Sequence, residues 1–231
     1  MSEILENEFL LDVQGLTTYF EITEGVVARP IARVHAVESV TLDIRRGETV
    51  SLVGESGCGK TTTGRTIIGL EKSTSGEIYF EGRPVAKLSS DERRKFRQRV
   101  QMIFQDPYSS LNPRLSIAEA LAEPIRVHKL AQNKEIDQRI IDLLKQVNLP
   151  PEFGKRYPHE FSGGQRQRIS IARALALDPK LIICDEAVSA LDVTIKAQVI
   201  NLLMDLQKEL GVSYLFISHD LAIVERISHR V

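Results

Sequence analysis

Tryptophan is absent from the 231-residue chain, and cysteine occurs only twice, at Cys58 and Cys184. The two cysteines have no C-x-x-C spacing, so the sequence indicates neither a disulfide framework nor a zinc ribbon, and we expect reduced thiols. No apolar run approaches the roughly 18 to 20 residues that span a bilayer, and Met1–Leu10 lacks the basic and apolar pattern of a signal peptide. We therefore expect a soluble, cytosolic chain.

An excess of charge of either sign is also missing, since 30 Lys and Arg face 31 Asp and Glu, for a net charge of -1. Such a chain has no bulk attraction for a phosphate backbone or an acidic membrane, so any anion must be held locally. The one basic cluster, within Asp91–Arg99, is better explained as a solvated helix face that is capped by Ser89 or Ser90. We expect no nucleic-acid partner.

Strands are predicted at the start of the chain, at Leu10–Phe20, Val37–Ile44 and Thr49–Val53. A glycine loop follows the last of them and leads into a helix predicted over Lys60–Leu70. A short strand pair is then predicted on either side of Glu81 and Gly82. The pattern is that of a β-rich beginning followed by a strand, loop and helix unit.

The region from residue 105 to residue 177 has a helical pattern, with apolar residues at Ile136, Ile140, Leu143, Leu144 and Val147. After it, the sequence predicts a strand at Lys180–Cys184, a helix over Ile195–Leu210 and a strand at Val212–Ile217. Strands that alternate with helices indicate an α/β fold with a mostly parallel sheet covered on both faces.

The segment Gly54–Thr61 reads GESGCGKT and matches G-x-x-x-x-G-K-[ST] between an apolar strand and a helix. Its glycines let the backbone wrap a phosphate chain, so that successive N–H groups and the helix N-terminus face the anion. Lys60 would reach the β- and γ-phosphates, Thr61 would offer its hydroxyl to Mg²⁺, and Thr62 would add a phosphate donor. The predicted nucleotide-binding residues are Gly54, Glu55, Ser56, Gly57, Cys58, Gly59, Lys60, Thr61 and Thr62.

Polar residues follow two of the predicted strands. Asp185 and Glu186 end an apolar strand, and His219 follows the next one. In open α/β sheets the carboxyl ends of the strands carry the ligand groups, so we expect all three side chains near the phosphates. Asp185 is suited to the metal shell, and Glu186 could accept a proton from an attacking water.

A second helix N-terminus with anion-binding character follows Phe161. Ser162, Gly163, Gly164 and Gln165 open a helix predicted over Arg166–Leu177. The exposed N–H groups and the positive end of the helix dipole favour an anion there. The chain is thus predicted to carry two phosphate sites.

These motifs occur in the order found in ATP-binding cassette (ABC) ATPases, and the chain resembles that family over essentially its whole length. The matching motifs are Gly54–Thr61, Ser162–Gln165, Leu181–Glu186, Ser189–Asp192 and His219. Three further stretches resemble the ATP-binding subunits of bacterial importers for dipeptides, oligopeptides, glutathione and nickel: Gln105–Arg114, Tyr157–Phe161 and Ser189–Val193. Val34–Glu38 and Val224–Val231 are most similar to the second ATPase half of glutathione importers.

The resemblance implies ATP as substrate, Mg²⁺ as cofactor, and a role for each matching residue. Gln105 would contact Mg²⁺ or the lytic water and sense the membrane partner, Glu186 would be the general base, and His219 would hold the γ-phosphate. Asp192 would lie between two ATPase domains. Phe20 matches the aromatic residue that stacks on adenine, with its neighbour Tyr19 as the alternative.

The resemblance also implies the architecture. We expect a P-loop NTPase with a RecA-like core and a mostly parallel sheet, an N-terminal antiparallel β subdomain and an inserted helical subdomain. Residues 1–231 would form one ATPase domain, with the catalytic core over 1–104 and 178–231 and the helical subdomain over 105–177. Because domains of this group continue with further strands, we expect the full protein to extend beyond Val231.

The implied partners are transmembrane permease subunits, a second ABC ATPase domain in a homodimer or heterodimer, and indirectly a solute-binding protein. The chain would then lie peripherally on the cytoplasmic side of the inner membrane. The cargo stays open between a dipeptide, an oligopeptide, glutathione and another substrate such as nickel, and a non-transport ABC ATPase is the further alternative. A GTPase is disfavoured, because the nearest match to N-K-x-D, Asn133–Ile136, has Ile in place of Asp.

Overall fold

The computed structural model describes residues 8–24, 29–106 and 110–231, so Pro107–Ser109 of the importer-like stretch lie outside the described residues. Within these ranges the chain forms two four-stranded sheets. One is antiparallel and the other is parallel, and helices pack on the parallel sheet. This α/β architecture confirms the predicted fold class.

The antiparallel sheet has the strand order β2-β1-β4-β5. Its strands are β1 (Phe9–Glu24), β2 (Arg29–Arg45), β4 (Ser75–Phe80) and β5 (Arg83–Pro84). β1 and β2 are longer than the sequence predicted, because they continue as a two-stranded ribbon past the point where β4 pairs with β1. The ribbon, residues 18–24 with 29–37, has side chains that alternate without a marked apolar run, so the sequence pattern missed much of it.

The parallel sheet has the order β3-β8-β7-β6. Its strands are β3 (Thr49–Val53), β6 (Val100–Ile103), β7 (Leu181–Asp185) and β8 (Ser213–Ser218). Each face contributes to a different core, since alternate side chains point to opposite faces. Leu181 and Ile183 pack towards the antiparallel sheet, and Ile182 and Cys184 pack towards the helices.

The helices are α1 (Lys60–Ile67), α2 (Ser90–Arg99), α3 (Ile117–His128), α4 (Asn133–Gln146), α5 (Gly163–Leu175), α6 (Val193–Leu210) and α7 (Leu221–Ile227). Short 3₁₀ turns occupy Val85–Lys87, Pro151–Lys155 and Pro158–Glu160. All five apolar residues that predicted the helical pattern of α4 and its end are buried: Ile136, Ile140, Leu143, Leu144 and Val147. They belong to the same core as one face of the parallel sheet.

The basic cluster forms α2, as predicted. Ser89 is the N-cap, and a capping box joins its side chain and backbone to Glu92. Phe96 is the buried residue of this helix, so the arginines lie on its solvated side. None of the described helices is long and apolar enough to cross a membrane.

Glu81 ties the antiparallel sheet to the parallel one. It lies in the turn between β4 and β5. Its carboxylate accepts hydrogen bonds from Arg46, Arg99 and Lys180 and forms a salt bridge with each of them. Burial raises the pKa of Glu81, but the hydrogen bonds from Lys180 and Arg46 outweigh it and hold that pKa below its ordinary value. The ionised carboxylate is therefore the form that the fold favours.

Replacing Glu81 with Gln should lower the free energy of unfolding by about 1–3 kcal/mol at neutral pH, because three cations would then converge without a carboxylate. Since the folded state holds the pKa of Glu81 down, this contribution is present above the pKa of the unfolded chain and is lost as the pH falls through the lowered pKa. Urea unfolding of both proteins, from neutral pH to about pH 3, measures the difference. The matched control is Glu225→Gln on the exposed face of α7, and an effect of Glu81→Gln that did not shrink in acid would contradict the assignment.

Candidate nucleotide-binding site

The loop between β3 and α1 has a backbone that requires glycine. Gly57 and Gly59 have φ angles of 82° and 98°, in the left-handed region. A Cβ atom on Gly59 would lie 2.0 Å from the carbonyl oxygen of Ala36, which is backbone and cannot give way. The loop therefore wraps tightly, as an anion cradle needs.

Lys60 begins α1, and its side chain is folded back into the loop. The ammonium donates hydrogen bonds to the carbonyl oxygens of Gly54 at 2.8 Å and Glu55 at 2.7 Å, and Lys60 is only 6% exposed. Among the described residues no carboxylate forms a salt bridge with it, and the first turn of α1 contains no acid. A buried ammonium held by neutral carbonyls leaves its charge available to an anion.

Thr61, the residue after Lys60, contacts Asp185 at the end of β7. The Thr61 hydroxyl donates to Asp185 Oδ1 at 2.7 Å, which joins the phosphate loop to the end of β7. Burial raises the pKa of Asp185 above its ordinary value, against the hydrogen bond from Thr61, which lowers it. A hydroxyl and a carboxylate are the hard oxygen donors that Mg²⁺ prefers. The described residues hold no cluster of three His, Cys, Asp or Glu that could bind a metal ion.

Glu186 lies between two further polar side chains. Gln105 Nε2 donates to Glu186 Oε2 at 3.0 Å, and His219 Nδ1 is 3.2 Å from Glu186 Oε1. Glu186 itself has a φ of 47°, and its N–H donates to Ile217 O in β8. The carboxyl ends of β7 and β8 thus bring Glu186 and His219 together, and Gln105 joins them from the end of β6.

A pocket of about 260 Å³ is lined by Gln105 and Glu186, whereas His219 and Asp185 are not part of its lining. Its lining residues are Val34, His35, Ala36, Ser56, Gly57, Gly59, Lys60, Thr61, Thr62, Gln105 and Glu186. Ser162–Gln165, the second predicted phosphate site, is not part of this lining. The pocket of a single chain therefore holds one of the two predicted phosphate sites.

Ser162 is the N-cap of α5, and it forms a capping box with Gln165. Its hydroxyl accepts a hydrogen bond from Gln165 N and is exposed, so it keeps a proton to donate. A Cβ on Gly164 would lie 2.5 Å from Ile195 Cγ2, so close packing of α5 on α6 also requires this glycine. Asp192 precedes α6, is exposed, and does not cap that helix with its side chain.

The two candidate aromatic residues of β1 have different surroundings. Tyr19 is stacked on His35, with ring centroids 4.0 Å apart. Phe20 is 40% exposed and lies opposite Val34, one of the pocket residues. Tyr19 also lies opposite a pocket residue, His35, so the two aromatic residues differ in that the Tyr19 ring is stacked and the Phe20 ring is exposed.

Three residues that line the pocket were not among the site residues predicted from the sequence. Val34, His35 and Ala36 line the pocket from β2, about twenty residues before the phosphate loop. No motif marks them as site residues. Only the strand register, which pairs His35 with Tyr19, shows where they lie.

Alkylating Cys58 should weaken nucleotide binding by more than about tenfold, because the adduct would occupy the space of the phosphates. Cys58 is exposed, and its Sγ lies 3.8 Å from Lys60 Nζ. Cys184 is buried and should stay unmodified in the folded protein. The control Cys58→Ser should bind ATP and resist the reagent, whereas unchanged affinity after verified modification of Cys58 would refute the prediction.

The fold and this pocket define a nucleotide-binding domain of the P-loop type. The family model for ABC transporters matches residues 37–189, so the chain belongs to the ABC transporter family. Membership of this family supports ATP binding by the chain.

Curated relatives of this chain include the glutathione import ATP-binding protein GsiA of Salmonella paratyphi A, which is 55% identical over 99% of the chain. The protein of the same name from Escherichia coli K12 is 56% identical over the same share. In both comparisons the chain spans only 37% of the length of the relative.

Solved structures with the same fold include cbiO1 of Clostridium perfringens, described as part of the ABC transporter complex cbiONQ. It has a TM-score of 0.79 and 27% identity and covers 96% of this chain and 83% of its own. The ATP-binding cassette MJ0796, solved as a dimer in a post-hydrolysis state with ADP and Pi, has a TM-score of 0.79 and 31% identity. That match covers 92% of this chain and 89% of the other.

Proposed function

We propose that this chain hydrolyses ATP and that a pair of such domains powers the import of glutathione or another short peptide. The single observation that carries the hydrolytic part is the arrangement around Glu186. Glu186, a carboxylate with two polar neighbours, lines the same pocket as the phosphate loop and Thr61, and the Thr61 hydroxyl donates a hydrogen bond to Asp185. This arrangement provides phosphate binding, metal ligands and a base in one place.

Hydrolysis begins with water attacking the γ-phosphorus in line with the bond to the β-phosphate oxygen. Glu186 accepts the proton of that water, and Gln105 and His219 hold its carboxylate in place while leaving it free lone pairs. Lys60 and the loop N–H groups offset the charge on the phosphates. Mg²⁺, held by Thr61, Asp185 and Gln105, would supply further charge neutralisation.

A complete site requires two domains in this proposal. Ser162–Gln165 carries anion-binding groups but does not line the pocket of its own chain. ATP would join two domains head to tail by contacting the phosphate loop of one and Ser162 of the other, with Asp192 at the boundary. The dimeric state of MJ0796 supports this arrangement. The second domain would be another copy of this one or a different ABC ATPase domain.

A groove beside Gln105 is the proposed docking site for the permease. It is a concavity of about 270 Å³, whose lining includes Ile68, Leu70, Met102, Phe104 and Pro124. Phe104 directly precedes Gln105, so a segment seated in the groove would act on the loop that holds Glu186. This would place the domain peripherally on the cytoplasmic face of the inner membrane.

The names of the relatives favour glutathione as cargo among the possibilities that the sequence leaves open. The test uses the full protein with its permease in proteoliposomes. Solute-binding protein loaded with glutathione should stimulate ATP hydrolysis and uptake, whereas a loaded oligopeptide or nickel should not. Stimulation by another cargo would reassign the substrate, and ATP hydrolysis that no permease affects would favour a non-transport ABC ATPase.

A further inference from the structure

One wall of the nucleotide pocket lies outside the phosphate-loop motif. It is formed by Val34, His35 and Ala36 of β2. β2 is the terminal strand in the order β2-β1-β4-β5, so its outer edge is free to face a ligand. His35 is the residue of this wall whose side chain can form hydrogen bonds.

The ribbon of β1 and β2 has one apolar and one polar face, because successive side chains alternate and opposite residues share a face. The cross-strand pairs of the apolar face are Phe20–Val34 and Ile22–Ala32. The pairs of the polar face are Tyr19–His35 and Glu21–Arg33. Tyr19 and Phe20 therefore serve different purposes, although they are neighbours in sequence.

Two contacts orient the His35 ring. Tyr19 stacks on it with a centroid distance of 4.0 Å and an interplanar angle of 28°. Its Nδ1 is 3.7 Å from Glu38 Oε2. None of the hydrogen bonds among the described residues uses Nε2 of this imidazole, so that nitrogen is available to a ligand. In the ring form with a proton on both nitrogens, Nδ1 faces the Glu38 carboxylate and Nε2 can donate a hydrogen bond to an anion.

The contact between Ala36 and Gly59 shows which part of the nucleotide passes His35. Ala36 O would lie 2.0 Å from a Cβ on Gly59, so β2 touches the phosphate loop directly before α1. Lys60 Nζ points to the other end of the loop, at Gly54 and Glu55. The pocket lining includes Val34 of one face and His35 of the other, so the pocket lies along the outer edge of β2. A nucleotide with its terminal phosphates at Lys60 and its base at the Phe20 ring would follow this edge and bring its α-phosphate past His35.

We propose that His35 is a further nucleotide-binding residue, which donates a hydrogen bond from Nε2 to the α-phosphate, and that Tyr19 is its positioning residue. The inference rests on the ATP-binding role of the pocket. The α-phosphate is preferred over the ribose because a hydrogen bond from an imidazole to an anion is charge-assisted, and because the N-terminus of α1 lies at the same point.

Replacing His35 with Ala should weaken the binding of ATP and ADP equally, by about 3- to 10-fold, which is the loss of one such hydrogen bond. His35→Gln should recover most of this loss, since its Nε2 amide can donate from a similar position. Tyr19→Ala should also weaken binding, and Tyr19→Phe should rescue it, because the stacked ring and not the hydroxyl is what orients His35.

Isothermal titration of the full protein and these variants with ATP, ADP and 2′-deoxyATP tests the assignment. An equal loss with all three nucleotides in His35→Ala supports the α-phosphate contact. A loss that disappears with 2′-deoxyATP, or an unchanged affinity for ATP, would overturn it. Lys60→Ala is the control for the pocket itself. If this variant bound ATP as tightly as the wild type does, the proposed function would fail together with this inference.

Discussion

Glu186→Gln should reduce the turnover of ATP by about 10²- to 10⁴-fold, while the affinity for ATP stays near that of wild type. Glutamine has the same shape as glutamate and keeps an oxygen for Gln105 or His219, but it cannot accept the proton of the attacking water. Because hydrolysis would be what separates two ATP-joined domains, the variant should also accumulate as an ATP-bound dimer. The measurements are steady-state phosphate release, ATP titration and size-exclusion chromatography with ATP.

The matched control is Glu209→Gln, since Glu209 is exposed near the end of α6 and outside the pocket lining, and its change should leave turnover unaltered. Near-normal turnover in Glu186→Gln would remove Glu186 from the role of base. Loss of ATP affinity together with turnover would instead give its carboxylate a role in binding.

Ser162→Arg should abolish hydrolysis at the phosphate loop of the partner domain and leave the loop of its own chain intact. The reason is that Ser162 and the pocket belong to different halves of the proposed dimer. Complementation tests this directly. A Ser162→Arg chain and a Lys60→Ala chain should each be inactive alone, yet a mixture of them should regain activity, because one of the two composite sites in a mixed dimer contains neither change.

Ser162 also caps α5, so a folding defect has to be separated from a lost ligand contact. Ser162→Asp keeps an N-cap residue but places a negative charge opposite the phosphates, and it should be as inactive as Ser162→Arg. Ser162→Thr keeps both the cap and the hydroxyl and should remain active. If the mixed variants regained no activity while both chains were folded, the composite site would be refuted.

Local features of the sequence were sufficient to predict most of the elements around the pocket. The helix at α4 followed from its apolar spacing, and the glycine loop followed from the pattern Gly54–Thr61. Both depend on backbone angles and periods that neighbouring residues set. Glu186 and His219 were predicted to converge because the carboxyl ends of parallel strands share one edge of the sheet, and the structure has them in contact.

Other features were beyond local patterns. The ribbon of β1 and β2 exceeds its predicted bounds, because pairing between the two strands maintains it beyond the region with an apolar pattern. The glycine at position 164 was interpreted as part of an anion site, but its contact with Ile195 depends on how α5 packs on α6. The ion-pair cluster at Glu81 joins residues from four separate parts of the chain.

The sequence by itself determined the family, the order of its motifs and the residue types expected to bind phosphate, because these properties are carried by short contiguous segments. Only the tertiary structure decided that His35 and Ala36 border the pocket, that Tyr19 supports His35 while Phe20 stays uncovered, and that Ser162 does not line the pocket of its own chain. Strand register and helix packing bring distant residues together, and each depends on several segments of the chain at once.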